Sequence, residues 1–150
     1  MCADAPTPFV IRKAKTADLP AVKKLASDNS KALGFVLRSA LSKAIEENRL
    51  FVAQNDHGIV GFEEYYHRKR DKQTTLYHKC VASAFRRKGI GTALVDAVVS
   101  ESRKMNRKFL LLRCPEGLPS NRFHEAFGFR LIGVEKGRRR KLNVWRFDLL

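Results

Sequence analysis

The chain has 150 residues, 44% of them hydrophobic and 30% charged, with a formal net charge of +15. That length fits one ordinary domain of roughly 100–150 residues, which buries about two-thirds of its unfolded surface without a disulfide or metal staple. The composition excludes a disordered polyelectrolyte. No stretch approaches the ~18 uncharged apolar residues of a membrane span, and the first residues lack a secretory signal, so a cytoplasmic protein without membrane association is expected.

The first predicted element is a short strand over residues 9–12. A helix follows, with Thr16 or Asp18 as its cap, Pro20 in its first turn and Val22, Leu25 and Ala26 at helical spacing. Gly34 stops it. A second helix is predicted over 39–48, with Leu41, Ala44 and Ile45 on one face. Strands over 50–54 and 59–66 join through the hairpin turn Asn55-Asp56-His57-Gly58, and a polar turn over 67–73 leads into a strand over 74–81. After a basic, glycine-containing loop comes a helix with Leu94, Val98 and Met105 along one stripe. The apolar run in 108–113 reads as a strand buried on both faces. A short helix over 120–127 is stopped by Gly128, and strands over 129–134 and 143–149 pair around an Arg-rich turn. With no repeat and no linker, the chain reads as a single mixed α/β (α+β) domain over 1–150. Residues 1–8 form a flexible tail.

Charge and cysteines narrow the function classes. Residues 1–75 carry 13 basic and 9 acidic side chains, whereas residues 76–150 carry 17 and 6. Such a field attracts polyanions, so nucleic acid, a phosphate-bearing cofactor or an acidic protein partner stands against a merely solvated basic surface. No window interleaves aromatics with basics as an RNA-stacking platform does. Cys2, Cys80 and Cys114 cannot all pair and show no C-x-x-C spacing, which argues against a disulfide framework and a metal site.

The most informative segment is VASAFRRKGIGTAL, Val81 to Leu94. Here a strand ends, a loop with Gly89 and Gly91 follows, and a helix begins. Glycines let successive N–H groups converge, the helix start adds unsatisfied N–H groups and a positive dipole end, and Arg86, Arg87 and Lys88 add formal charge. Together these describe a pyrophosphate cradle. The dinucleotide fingerprint lacks its third glycine, where Leu94 stands, and no P-loop motif occurs.

Arg86, Gly89 and Gly91 in R-x-x-G-x-G spacing resemble the acyl-CoA loop of the GNAT superfamily of N-acetyltransferases. Downstream, Asn121-Arg122-Phe123-His124-Glu125-Ala126-Phe127-Gly128-Phe129 is similar to that family's N-x-F-Y-x-x-x-G-F segment, and the element order matches over residues 9–150. The resemblance implies a central mixed, mostly antiparallel sheet splayed at its fourth strand and flanked by about four helices. It implies acetyl-CoA as co-substrate, its pantetheine arm pairing with main-chain groups near Cys80, Val81 and Ala82. Amides of Arg87, Lys88, Gly89, Ile90, Gly91 and Thr92 would hold the pyrophosphate, and Asn121 would touch the pantetheine arm or set the following helix. Acetyl transfer to a primary amine would be direct, with no cysteine nucleophile.

The chain departs from the family pattern twice. His124 stands where a tyrosine acid is frequent; an imidazole, with a reference pKa near ~6.5, transfers a proton downhill to a thiolate of pKa near ~8.5. A packing role is the competing reading. No acid occurs on the fourth strand, which carries His78, while Glu63 and Glu64 lie on the third. Alternation sets Glu64 with Val60, Phe62 and Tyr66, and Glu63 with Ile59 and Tyr65, so one of the two faces a mostly apolar side where burial raises its pKa. Glu64 and His78 are thus candidates for the base, against a reading of each as a rim residue. The basic turn over 136–141 would border the acceptor side and favour an acidic protein or a ribonucleoprotein. The alternative function is a nucleic-acid- or ribosome-binding module on a catalytically drifted scaffold of this fold. The acceptor stays unidentified, and the oligomeric state is left at monomer or homodimer.

Overall fold

Alternating and β-branched segments form seven strands: β1 Val10–Lys13, β2 Leu50–Asn55, β3 Gly58–His67, β4 Gln73–Val81, β5 Phe109–Pro115, β6 Arg130–Lys136 and β7 Lys141–Asp148. Their order in the sheet is β1-β2-β3-β4-β5-β7-β6. The β4–β5 pair is parallel, and β1–β2, β2–β3, β5–β7 and β6–β7 are antiparallel. Among the described residues five α-helices accompany them: α1 Leu19–Asp28, α2 Ser30–Leu33, α3 Arg38–Glu46, α4 Ile90–Lys104 and α5 Ser120–Phe127. The computed structural model describes residues 7–150. Of the expected tail, positions 1–6, Cys2 included, lie outside the described residues.

This is the mixed, mostly antiparallel α/β fold that the sequence implies. The helix count exceeds the expectation by α2, a single turn ended by Gly34 at φ +73°. A four-residue helix is too short to display a period, so the sequence carries no sign of it. Pairing of β4 with β5 covers only Gln73–Leu76 against Phe109–Leu112, although β4 continues to Val81 and β5 to Pro115. The fourth strand is therefore the place where the ladder gives out.

The chain groups into two compact units. The first comprises the chain up to Glu64 together with His78–Ala97. On one face of its strands, Val22, Leu25 and Ala26 of α1 and Leu41, Ala44 and Ile45 of α3 pack with Leu50, Val52, Phe62 and Cys80. Each fully buried Leu or Val there contributes about 1.5–3 kcal/mol. On the other face, Ile90 and Leu94 of α4 pack against Ala53 and Val60. Gly61 allows this approach, because a Cβ there would stand 3.2 Å from Ile90 and 3.3 Å from Leu94.

Expected alternation fails at one residue. In the β2–β3 ladder Ala53 faces Gly61 and Gln54 faces Ile59, so Val60 is the extra residue of a β-bulge. Val60 therefore joins the α4-side cluster while Phe62, two residues on, joins the α1–α3 side. With both faces of β3 covered, Glu63 and Glu64 are both buried, at 1% and 7% exposure, where only one was expected to face apolar surroundings.

The second unit comprises Tyr65–Tyr77 and Val98–Leu150. Its β5 lies between β4 and β7, which buries Leu110, Leu111 and Leu112. Trp145, in the last strand, is core. Phe127, Phe129 and Phe147 form a ring cluster with centroids 5.4–5.6 Å apart. By contrast every residue of β6 is exposed, including Leu131, Ile132 and Val134. Tyr65 donates to Glu101 at 2.6 Å, and His67 bridges Glu101 and Thr74 at 2.9 and 2.7 Å, fastening β3 to α4.

Candidate active site

In the first unit, β4 leads through Ala82, a 3-10 turn over Ser83–Phe85 and the basic loop into α4. Two residues bend this loop on either side of Lys88: Arg87 at φ +61° and Gly89 at φ +86°. The left-handed region suits glycine and is unusual for arginine. Ala93 is the first residue of the helical ladder, its N–H donating to Gly89 O at 3.0 Å. Among the described residues the N–H groups of Arg87, Lys88, Gly89, Ile90, Gly91 and Thr92 donate to no main-chain acceptor. Six donors, a helix N-terminus of a 15-residue helix and two exposed cations are groups that could hold a phosphate-bearing anion.

Arg86 does something other than lend bare charge. Its Nε donates to Val81 O at 3.1 Å and its Nη2 to Asn29 Oδ1 at 2.5 Å, where Asn29 ends α1. Asn29 Nδ2 in turn donates to Leu25 O. The loop is thus tied to α1. Asn29 carried no motif and was missed from sequence, because the tie exists only once α1 is packed. Lys88 lies over the Phe85 ring at 6.0 Å, and His57 of the β2–β3 turn packs on the same ring at 5.2 Å.

At the end of β4, Ala82 N–H donates to Val60 O at 2.8 Å, so ladder alternation turns the main-chain groups of Val81 away from β3. Cys80 is buried, with its thiol 3.7 Å from Leu25 O, and burial pushes its pKa up to about 11. A thiol in that state is a small apolar filler rather than a nucleophile.

Glu64 and His78, on different strands, meet. His78 Nδ1 lies 2.7 Å from Glu64 Oε1; the carboxylate side chain is 10% exposed and the imidazole 34%. Arg49 lies 3.9 Å from the other oxygen of Glu64 and pairs with Glu47 at 2.7 Å. A carboxylate on Nδ1 fixes the imidazole so that Nε2 holds the lone pair. Glu63 points to the opposite face of β3. One of its oxygens has no hydrogen-bond partner among the described residues, and burial pushes its carboxyl well above the usual range.

His124 and Asn121 belong to the second unit. His124, on α5, is 7% exposed and sits among the rings of Phe123, Phe129 and Trp145 at 5.7, 5.9 and 6.3 Å. Asn121 Nδ2 donates to Pro115 O and Leu118 O, and its Oδ1 accepts from Asn143 Nδ2 and Trp145 Nε1. Two donors and two acceptor positions are the full capacity of an amide side chain. Asn121 therefore knots the loop before α5 to β7. In the same unit the β6–β7 turn borders an open concavity of about 520 Å³ lined by residues 134–141. Among the described residues no cluster of three or more His, Cys, Asp or Glu stands ready for a metal ion, and no helix is long and apolar enough to cross a membrane.

A strand, a glycine loop whose amides lack main-chain acceptors and a helix start, set in a mixed sheet whose fourth strand leaves the ladder, are the features that match an acetyltransferase fold. The family model described as the GNAT acetyltransferase domain matches residues 46–131, and the chain belongs to that family. Its fold is shared with Ard1 from Thermoplasma volcanium, at a TM-score of 0.84 and 19% identity, over 95% of this chain and 98% of that one. The ribosomal-protein-S18-alanine N-acetyltransferase of Escherichia coli aligns with a TM-score of 0.80 and 18% identity, over 95% and 94%. A putative acetyltransferase from Salmonella typhimurium, solved with its cofactor acetyl-CoA, aligns at 0.78 and 19%, over 95% of both chains. No curated protein sequence matched the chain.

Proposed function

We propose that this acetyltransferase takes the acetyl group from acetyl-CoA and passes it directly to a primary amine of a polypeptide. The observation that carries the reading is the run of six N–H groups from Arg87 to Thr92 without main-chain acceptors, at a loop where two cations stay exposed. The residues fit a pyrophosphate: six donors without main-chain acceptors follow one another, Gly89 presents no side chain, and Arg87 and Lys88 supply positive charge. Val81, turned away from β3, offers the main chain to the pantetheine arm, with Cys80 and Ala82 on either side. The bound thioester supplies an acyl carbon open to attack by a neutral amine.

His78 is the proposed base. With Glu64 holding Nδ1, Nε2 takes a proton from the acceptor's ammonium, which frees the neutral amine that attacks, and the carboxylate stabilises the imidazolium that results. Glu63 is set aside, since its 1% exposure gives it no path to a substrate. The basic turn over 136–141 favours an acceptor with acidic residues. A polypeptide acceptor agrees with the E. coli protein that acts on a ribosomal protein and with a ribosomal-protein-alanine N-acetyltransferase from Brucella melitensis of the same fold.

The cradle is tested by melting temperature. Acetyl-CoA at ~100 times its dissociation constant adds about 2.7 kcal/mol, a rise of several degrees, and ATP as a polyanion control should add little. Gly89→Val should abolish the acetyl-CoA shift, because a β-branched residue at φ +86° moves the backbone that aims the amides. A shift that survives in the variant would remove this loop from the binding site.

For the leaving thiolate, His124 is the proposed donor and the ring cluster around it supports the packing role instead. His124→Phe decides between them, since phenylalanine keeps the ring contacts and removes the proton. Unchanged turnover assigns His124 to packing. A fall of about 10²-fold or more, with melting temperature maintained, assigns it to proton donation.

A further inference from the structure

Two turns of the second unit are locked together. Lys108 N–H donates to Lys72 O at 2.8 Å, Arg107 Nη2 donates to the carbonyls of Arg68 and Gln73, and Arg68 N–H closes the turn on Gln73 O. The first turn joins β3 to β4 and the second joins α4 to β5. Their union sets Lys69, Arg70 and Lys72 beside Arg103, Lys104 and Lys108, all exposed. Arg107, half-buried, is the clamp between them.

Little of this charge is neutralised inside the protein. None of those six side chains forms an ion pair among the described residues. Asp71 is the acid of the first turn and lies 3.9 Å from Arg68. Glu101 is engaged by Tyr65 and His67, and Asp148 by Arg130 and Arg146. The C-terminal end of α4 accounts for Arg103 and Lys104 through the helix dipole, but it leaves Lys69, Arg70, Lys72 and Lys108 unexplained. Like charges held together by main-chain hydrogen bonds repel, and an external polyanion relieves that repulsion.

We propose that this surface binds the phosphodiester backbone of a duplex nucleic acid, independently of the acetyl-CoA cradle. Protein–protein interfaces are built round an apolar core and are depleted in lysine, whereas nucleic-acid interfaces are polar and strongly positive. These two turns carry no large apolar anchor except Met105 and no open strand edge. Residues 68–72 and 103–108 contain no aromatic side chain for stacking single-stranded bases, which selects a duplex. Rigid turns presenting point charges match phosphates and read no sequence.

The test uses the whole chain and a labelled duplex DNA, with duplex RNA as a second probe, followed by fluorescence anisotropy over a KCl series. The affinity should fall steeply with salt. The combined variant Lys69→Gln, Arg70→Gln, Lys72→Gln and Lys108→Gln should flatten the log–log salt slope by about 3 to 4, at roughly 0.9 per phosphate contact. It should also bind about tenfold or more weakly at moderate salt, with its acetyl-CoA melting shift retained. A control with the same charge change in the β6–β7 turn, Lys136→Gln, Arg138→Gln, Arg139→Gln and Lys141→Gln, should keep the parent slope. Equal loss in both variants would reduce the effect to net charge and overturn the assignment. Displacement of the duplex by acetyl-CoA would move binding to the cradle, and displacement by polyglutamate at equal charge would assign the surface to an acidic polypeptide. Each of those results would equally sink the proposal.

Discussion

His78→Ala is expected to lower turnover by about 10²–10⁴-fold, the usual worth of a positioned general base, while leaving the acetyl-CoA melting shift intact. The expectation rests on one cross-strand contact, His78 Nδ1 to Glu64 Oε1 at 2.7 Å, and on the exposure of the imidazole relative to its carboxylate. Thiol release from acetyl-CoA with peptides bearing a free N-terminus and acidic side chains is the readout. Glu64→Gln should move in the same direction with the loss concentrated in kcat, because the amide still accepts from Nδ1 but no longer offsets the imidazolium charge. The dependence of kcat/KM on pH should differ between the parent and His78→Ala, because the group that accepts the transferred proton is present only in the first. Unchanged turnover in His78→Ala would dismiss the pair as a base. A structural role alone would lower the melting temperature and leave the pH profile in place.

Glu63→Gln is expected to stabilise the protein, and more so as pH rises. Burial holds the Glu63 carboxyl well above its ordinary range, with Lys79 acting more weakly in the opposite sense. The folded state therefore favours the protonated acid. That contribution is complete below the carboxyl pKa of the unfolded chain and is lost as pH climbs through the raised folded value. Glutamine mimics the neutral form at every pH and has no such loss. One unit of displacement corresponds to about 1.4 kcal/mol, or about 3–6 °C in a domain of this size. The melting temperature of the variant should exceed the parent's clearly at pH 8 and only slightly at pH 5. A gap of equal size at both values would show that Glu63 is not a protonated acid in the fold.

Most of the secondary structure was legible from local pattern. The helix over 120–127 was bounded by Ser120 and Gly128, and the strands by alternation and turn residues, because each depends on neighbours in sequence. The glycine loop before α4 was legible for the same reason: a strand end, two glycines and a helix start lie within a dozen residues. The Glu64–His78 contact was not, since both residues could be named but the register that joins two strands is set by the whole sheet. The Val60 bulge was hidden too, as one extra residue leaves no compositional mark. Nor did sequence distinguish the exposed β6, predicted simply as a strand over 129–134, from the buried strands.

The tie from Arg86 to Asn29 spans 57 residues of sequence. A loop that must curl around an anion ordinarily loses conformational entropy on binding, about 1–2 kcal/mol for each residue it fixes. Here the guanidinium holds the loop against the end of α1 before any ligand arrives, so that ordering is completed during folding. If the loop is the proposed acetyl-CoA cradle, its affinity is a property of α1 as well as of the glycines. A change in the last turn of that helix, far from any phosphate, would weaken capture by restoring the loop's freedom while every donating N–H stayed in the chain.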